Sequence, residues 1–194
     1  MWRNLEKLNE EKIVQYLKER LKEERFTHSI NVMKMAVKLA EMYQVDTYNA
    51  KFAGLLHDCA KNMKNEELIK YCDENGIAVD EVKRSSPGIL HAEVGADIAE
   101  KEFGANAEIV QAIRYHTLAN REMEKLDKII YIADLIEEGR TLPGLEEIRE
   151  VVYRDLDEGY LMALKYCIEN VLERGKAIHQ QSLDALEAAA DILK

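Results

Sequence analysis

The chain has 194 residues, of which 47% are hydrophobic and 33% charged, and a formal net charge of -10 at pH 7. That balance suits a folded protein with one substantial core and disfavours the broad positive face that a nucleic acid polymer requires. An anionic ligand would have to be met by a few local cations or a bound metal.

Only 2 prolines and 9 glycines leave little room for hairpins, so an all-α fold is expected. No linker or repeat divides residues 1–194, which read as a single domain with its core over about 20–175 and a C-terminal helix over about 176–194. The N-terminal MWRNLEKLNEEK carries early acidic residues and no apolar run, which predicts neither a secretory signal nor a membrane anchor and hence a cytoplasmic protein. Cys59, Cys72 and Cys167 are odd in number and contain no CxxC pair, arguing against both a disulfide framework and a thiolate metal site.

Asn9 reads as the cap of a helix over about 10–24, followed by helices near 26–43, 47–61, 66–74, 89–103, 106–117, 124–138, 145–154 and 157–175. Gly76 and Gly104 fall where helices should end, and Asn65, Asp80 and Asn106 where they should begin. Residues 79–88, VDEVKRSSPG, read as a loop. The tail is alanine-rich and amphipathic, suited to covering the core or pairing with a second copy in a homodimer.

Polar residues interrupt five of the apolar faces. His28 shares a stripe with Val32, Met35, Leu39 and Met42; His57 with Ala50, Ala53 and Ala60; His91 with Val94, Gly95 and Ile98; His116 with Ile109, Ala112 and Ile113. Asp134 continues the face of Leu126 and Ile130, and Asp58 adjoins His57. A lone inward histidine is usually a hydrogen-bonded core residue. Four histidines and two aspartates converging from five helices are most cheaply satisfied by a shared metal ion. His57 and Asp58 point about 100° apart on a helix, so both reach one ion only beside a helix end, here expected near Asn62. Nitrogen and carboxylate donors without thiolate suit iron, manganese, cobalt, nickel or zinc. His179, in a polar segment, reads as a surface residue.

The order His28, His57-Asp58, Asp134 resembles the HD-domain superfamily of metal-dependent phosphohydrolases. The surrounding RFTHS (25–29), HDCAK (57–61), His91, YHT (115–117) and YIADLIEEGR (131–140) are similar to the bacterial YqeK family, whose members hydrolyse diadenosine tetraphosphate symmetrically to two ADP with iron at the HD site. The resemblance implies an HD-type helical bundle with the metal held between helices by His28, His57, Asp58 and Asp134, iron being the first choice. It further implies a dinucleoside polyphosphate substrate met by His28, Lys61, His91, His116, Thr117 and Arg140. Asp58 and Lys61 would be catalytic. His91 and His116 read as phosphate donors, with a second metal ion as their alternative role. Glu138 stands where the family commonly has proline, a departure that bears on the backbone near Arg140. Glu137 reads as a supporting carboxylate, and Arg25 and Arg114 as rim residues at most. Two other functions fit the same residues: hydrolysis of a nucleoside monophosphate, cyclic nucleotide or guanosine polyphosphate, and nucleotide binding without catalysis.

Overall fold

The structure is a computed structural model that describes residues 8–194. The reading of the extreme N-terminus, residues 1–7, lies outside the described residues. Among those described there are eleven helices and no strands. They are α1 (Glu10–Arg20), α2 (Glu23–Tyr43), α3 (Thr47–Leu56), α4 (Asn65–Asn75), α5 (Glu81–Ser85), α6 (His91–Phe103), α7 (Ala107–Tyr115), α8 (Lys125–Ile136), α9 (Leu145–Val152), α10 (Leu156–Glu173) and α11 (Gln180–Ile192).

The long α2 is central, packed on α3 and α8, while α7 touches α3, α6 and α8. Helices α9, α10 and α11 add a second group against α8. One continuous apolar cluster links them, from Ile13 and Leu17 of α1 to Ala185 and Ala189 of α11. Residues of α1 and of α11 thus share the apolar cluster with the helices between them. No described helix is long and apolar enough to cross a membrane.

Helix starts follow local chemistry. Asn9, Asp80 and Asn106 accept from the backbone N–H groups of Lys12, Lys83 and Ile109, as capping residues do. Asn65 is instead the first residue of α4, one position inside the cap Lys64. Gly76 and Gly104 end α4 and α6 with φ of 70° and 72°, the left-handed geometry that costs glycine nothing. The segment 79–88 is not a plain loop: Asp80 caps the short α5, and a 3-10 turn over Pro87–Leu90 leads into α6.

The departure that bears most on the site is the end of α3. It stops at Leu56 rather than near residue 61, and tight turns follow, with Cys59 N–H bonded to Leu56 O and Lys61 N–H to Asp58 O. Gly54 makes this packing possible. A Cβ there would lie 2.9 Å from the Cα of Met33, so α2 and α3 meet closely enough to bring His28 and His57 together. Met42, placed on the His28 stripe, is 43% exposed because the stripe runs past the end of the core.

Candidate metal centre

Five elements deliver the predicted polar residues to one place. His28 comes from α2, His57 and Asp58 from the turn after α3, His91 from the start of α6, His116 from the end of α7 and Asp134 from α8. All four histidines and Asp58 are buried; Asp134 is about a quarter exposed. The His28 and His57 rings pack edge to face at 5.3 Å, His57 and His116 at 5.0 Å, and His91 and His116 at 5.0 Å.

Each ring has its Nδ1 against an acceptor. His57 donates to Gly54 O at 2.7 Å, His91 to Gly88 O at 2.5 Å and His116 to Ile113 O at 2.6 Å, always the carbonyl three residues earlier. His28 Nδ1 faces Glu137 Oε1 at 3.1 Å. These bonds assign the neutral-ring proton to Nδ1 and leave the Nε2 lone pair aimed inward. Inside, the partners are also acceptors. His28 Nε2 lies 2.9 Å from Asp134 Oδ1 and 3.8 Å from Asp58 Oδ2; His57 Nε2 lies 3.5 Å from Asp58 Oδ2 and 3.8 Å from Asp134 Oδ1. His28 Nε2, His57 Nε2 and Asp58 Oδ1 are buried without a well-formed hydrogen bond. Converging lone pairs and anionic oxygens, these three atoms among them lacking a donor, fit a metal cation.

The donor atoms fall into overlapping groups, each lying within 4.8 Å: His28, His57 and Asp58; His57, His116 and Asp134; and Asp58, His91 and His116. Asp58 belongs to two of them. Burial would raise its pKa, but the facing imidazole of His57, and after it those of His116 and His91, hold it well below the usual carboxylate range. Asp134 is likewise held down against burial, by the facing imidazoles of His28 and His57. Burial, assisted by the Lys61 charge, pushes His91 down to about 4 despite the facing Asp58 carboxylate.

The cationic residues stand at the rim. Lys61 Nζ is 3.0 Å from His91 Nε2 and 3.8 Å from Asp58 Oδ1, and the Thr117 hydroxyl lies 3.1 Å from His116 Nε2. Arg140 reaches Asp134 Oδ1 at 3.3 Å. Glu138 is exposed, and the backbone at Arg140 is held from elsewhere: Arg149 of α9 donates to the carbonyls of Ile136, Glu137 and Arg140.

Arg25 is more deeply involved than a rim residue. Its guanidinium bonds Asp58 Oδ2 at 2.7 Å. Its position three residues before His28 on α2 was the available signal, because that spacing places both on one face. Arg114 is exposed. Glu137 supports His28, as the sequence suggested, and Arg149 gave no sign of its bracing role in the sequence. His179 is not a free surface residue: it caps α11, accepting from Gln181 N–H and donating to Asp80 Oδ2 at 2.7 Å.

A family model described as HD domain matches residues 25–139, which hold every member of the cluster. Among curated proteins, the "Bis(5'-nucleosyl)-tetraphosphatase, symmetrical" of Staphylococcus aureus is 36% identical over 92% of this chain and 93% of its own. The protein of the same name from Bacillus subtilis is 32% identical over 88% of this chain and 92% of its own. A crystal structure from Clostridium acetobutylicum, described as a predicted HD superfamily hydrolase involved in NAD metabolism, superposes with a TM-score of 0.91 at 35% identity, covering 98% of each chain.

Proposed function

The chain belongs to the HD-domain family, and we propose that it is a metal-dependent hydrolase, acting as one domain, that cleaves diadenosine tetraphosphate symmetrically to two ADP. The observation carrying this reading is the inward set of acceptor atoms bordered by Lys61, Thr117 and Arg140, in a chain so similar to symmetrical tetraphosphatases. His28, His57, Asp58 and Asp134 would hold the ion. Their mixed nitrogen and oxygen donors accept iron, our first choice, and also manganese, cobalt, nickel or zinc.

A bound divalent ion supplies Lewis acidity and a water acidified toward neutrality. The side chains do the rest. Lys61, Arg140 and Arg25 offset charge accumulating on the phosphoryl oxygens, and the Thr117 hydroxyl donates to a phosphate oxygen. Attack of water at one of the two inner phosphorus atoms breaks its bond to the oxygen bridging them, and ADP leaves on either side. Asp58 would be both a ligand and the acceptor of the proton that the water loses. A bulk charge of -10 does not oppose this chemistry, because the cations are gathered where the phosphates lie. The setting is that of a cytoplasmic enzyme.

Anion-exchange separation of the products from metal-loaded protein tests the proposal. ADP as the sole product is expected. Equal AMP and ATP would mean asymmetric cleavage, and no turnover with iron or manganese would remove the assignment.

A further inference from the structure

Beside the cluster lies a cavity of about 180 Å³ to which the chemistry above assigns no role. Its walls are drawn from separate elements: Val82 of α5, Ile89 of the 3-10 turn, Leu118 after α7, Ile168 and Val171 of α10, and Ile178 in the link to α11. Thr117 joins it to the cluster, lining the cavity while its hydroxyl lies 3.3 Å from His91 Nε2 and 3.1 Å from His116 Nε2. Tyr131, nearly one turn before Asp134 on α8, completes that wall.

An apolar cavity of about 150 Å³ accepts a benzene ring, so this space admits a planar heterocycle between aliphatic side chains. It is not uniformly apolar. Ser182 donates its hydroxyl proton to Leu118 O at 2.8 Å, which leaves the oxygen lone pairs free to accept from an exocyclic amine. Arg174 and Lys176 stand exposed among the lining residues, where they can meet phosphate rather than the ring.

We propose that this cavity holds one nucleobase of the dinucleotide, the phosphates passing Thr117 to reach the cluster. The inference rests on the nucleotide reading above and adds where the base is recognised. A second opening, bordered by His28 and Arg140 of the site, differs. Its space of about 450 Å³ is bordered by charged and polar residues, including Lys22, Arg25, His28 and Arg140, without an aliphatic side chain to cover a ring face. A symmetrical substrate is therefore read at one end: one base is enclosed, while the second nucleoside lies in a charged cleft and contributes little selectivity.

Binding of ADP and of inorganic pyrophosphate to metal-loaded protein separates base from phosphate recognition. Val171→Trp and Ile178→Trp fill the cavity from α10 and from the link. Each should weaken ADP roughly ten- to a hundredfold, the range expected from losing one base's stacking, and leave pyrophosphate binding as in the wild type. Unchanged ADP affinity in folded variants would overturn the site. The wild type gives a test free of folding effects: in isoleucine-methyl NMR spectra, ADP should shift Ile89, Ile168 and Ile178 through its ring current, and pyrophosphate should not. Methyl signals unmoved by ADP, in protein that still cleaves diadenosine tetraphosphate, would sink the cavity assignment alone. Methyl shifts on ADP binding without turnover would sustain the base site and sink the proposed activity.

Discussion

His91 and His116 place their Nε2 atoms 3.0 Å apart, with Asp58 Oδ1 at 3.1 Å from the first and 3.6 Å from the second. Both Nδ1 atoms are engaged with backbone carbonyls, so in the neutral rings two lone pairs and a carboxylate oxygen face one another. Such a group repels itself unless a cation lies among the atoms. Lys61, 3.0 Å from His91 Nε2, supplies one from the rim. The role of phosphate donor suggested by the sequence requires Nε2 to carry a proton, and the Nδ1 bonds disfavour that tautomer. A second metal ion held by Asp58, His91 and His116 would satisfy these three acceptors. Elemental analysis of purified protein should then find two ions per chain, falling to one in His91→Ala and in His116→Ala. One ion in all three proteins would return the pair to the donor role.

At the level of elements, the close approach of α2 and α3 decides whether the cluster can assemble. Gly54 serves this twice: it has no Cβ to meet Met33, and its carbonyl orients the His57 ring. Gly54→Ala forces the helices apart or strains them, which should cost about 1–3 kcal/mol as overpacking does. Metal retention should fall as well, because His57 turns with the end of α3. Denaturant unfolding and metal content measured on that variant check both effects, and unchanged values in both would contradict this role. The apolar faces carrying His28, His116 and Asp134 were legible in the sequence because helical periodicity is local. The end of α3 was not, since the turns over 57–63 are set by what packs around Asp58 rather than by a glycine or proline nearby. The weight of Arg25 was half legible: its spacing from His28 was visible, but not that the guanidinium meets Asp58 across 33 positions of the chain. The cavity was illegible, because its walls come from segments spread between residues 82 and 182.

Taken as a whole, the molecule has a net charge of -10 and gathers three buried or half-buried carboxylates, Asp58, Asp134 and Glu137, and four histidine lone pairs near its centre. Arg25, Lys61 and Arg140 balance part of that, yet His28 Nε2, His57 Nε2 and Asp58 Oδ1 lack a proper donor. An ion that satisfies them binds the folded chain far better than the unfolded one, and therefore stabilises the fold by mass action. At a free metal concentration of about 100 times Kd the gain is about 2.7 kcal/mol. For a protein of this size that raises Tm by about 5–10 °C. Calorimetry with added metal and with chelator should show this difference in the wild type. In Asp58→Ala most of it should vanish, because Asp58 belongs to both the group with His28 and His57 and the group with His91 and His116. Wild-type melting curves that coincide with and without metal would mean that the histidines and carboxylates satisfy one another unaided, and the metal assignment would fall even if hydrolysis were observed.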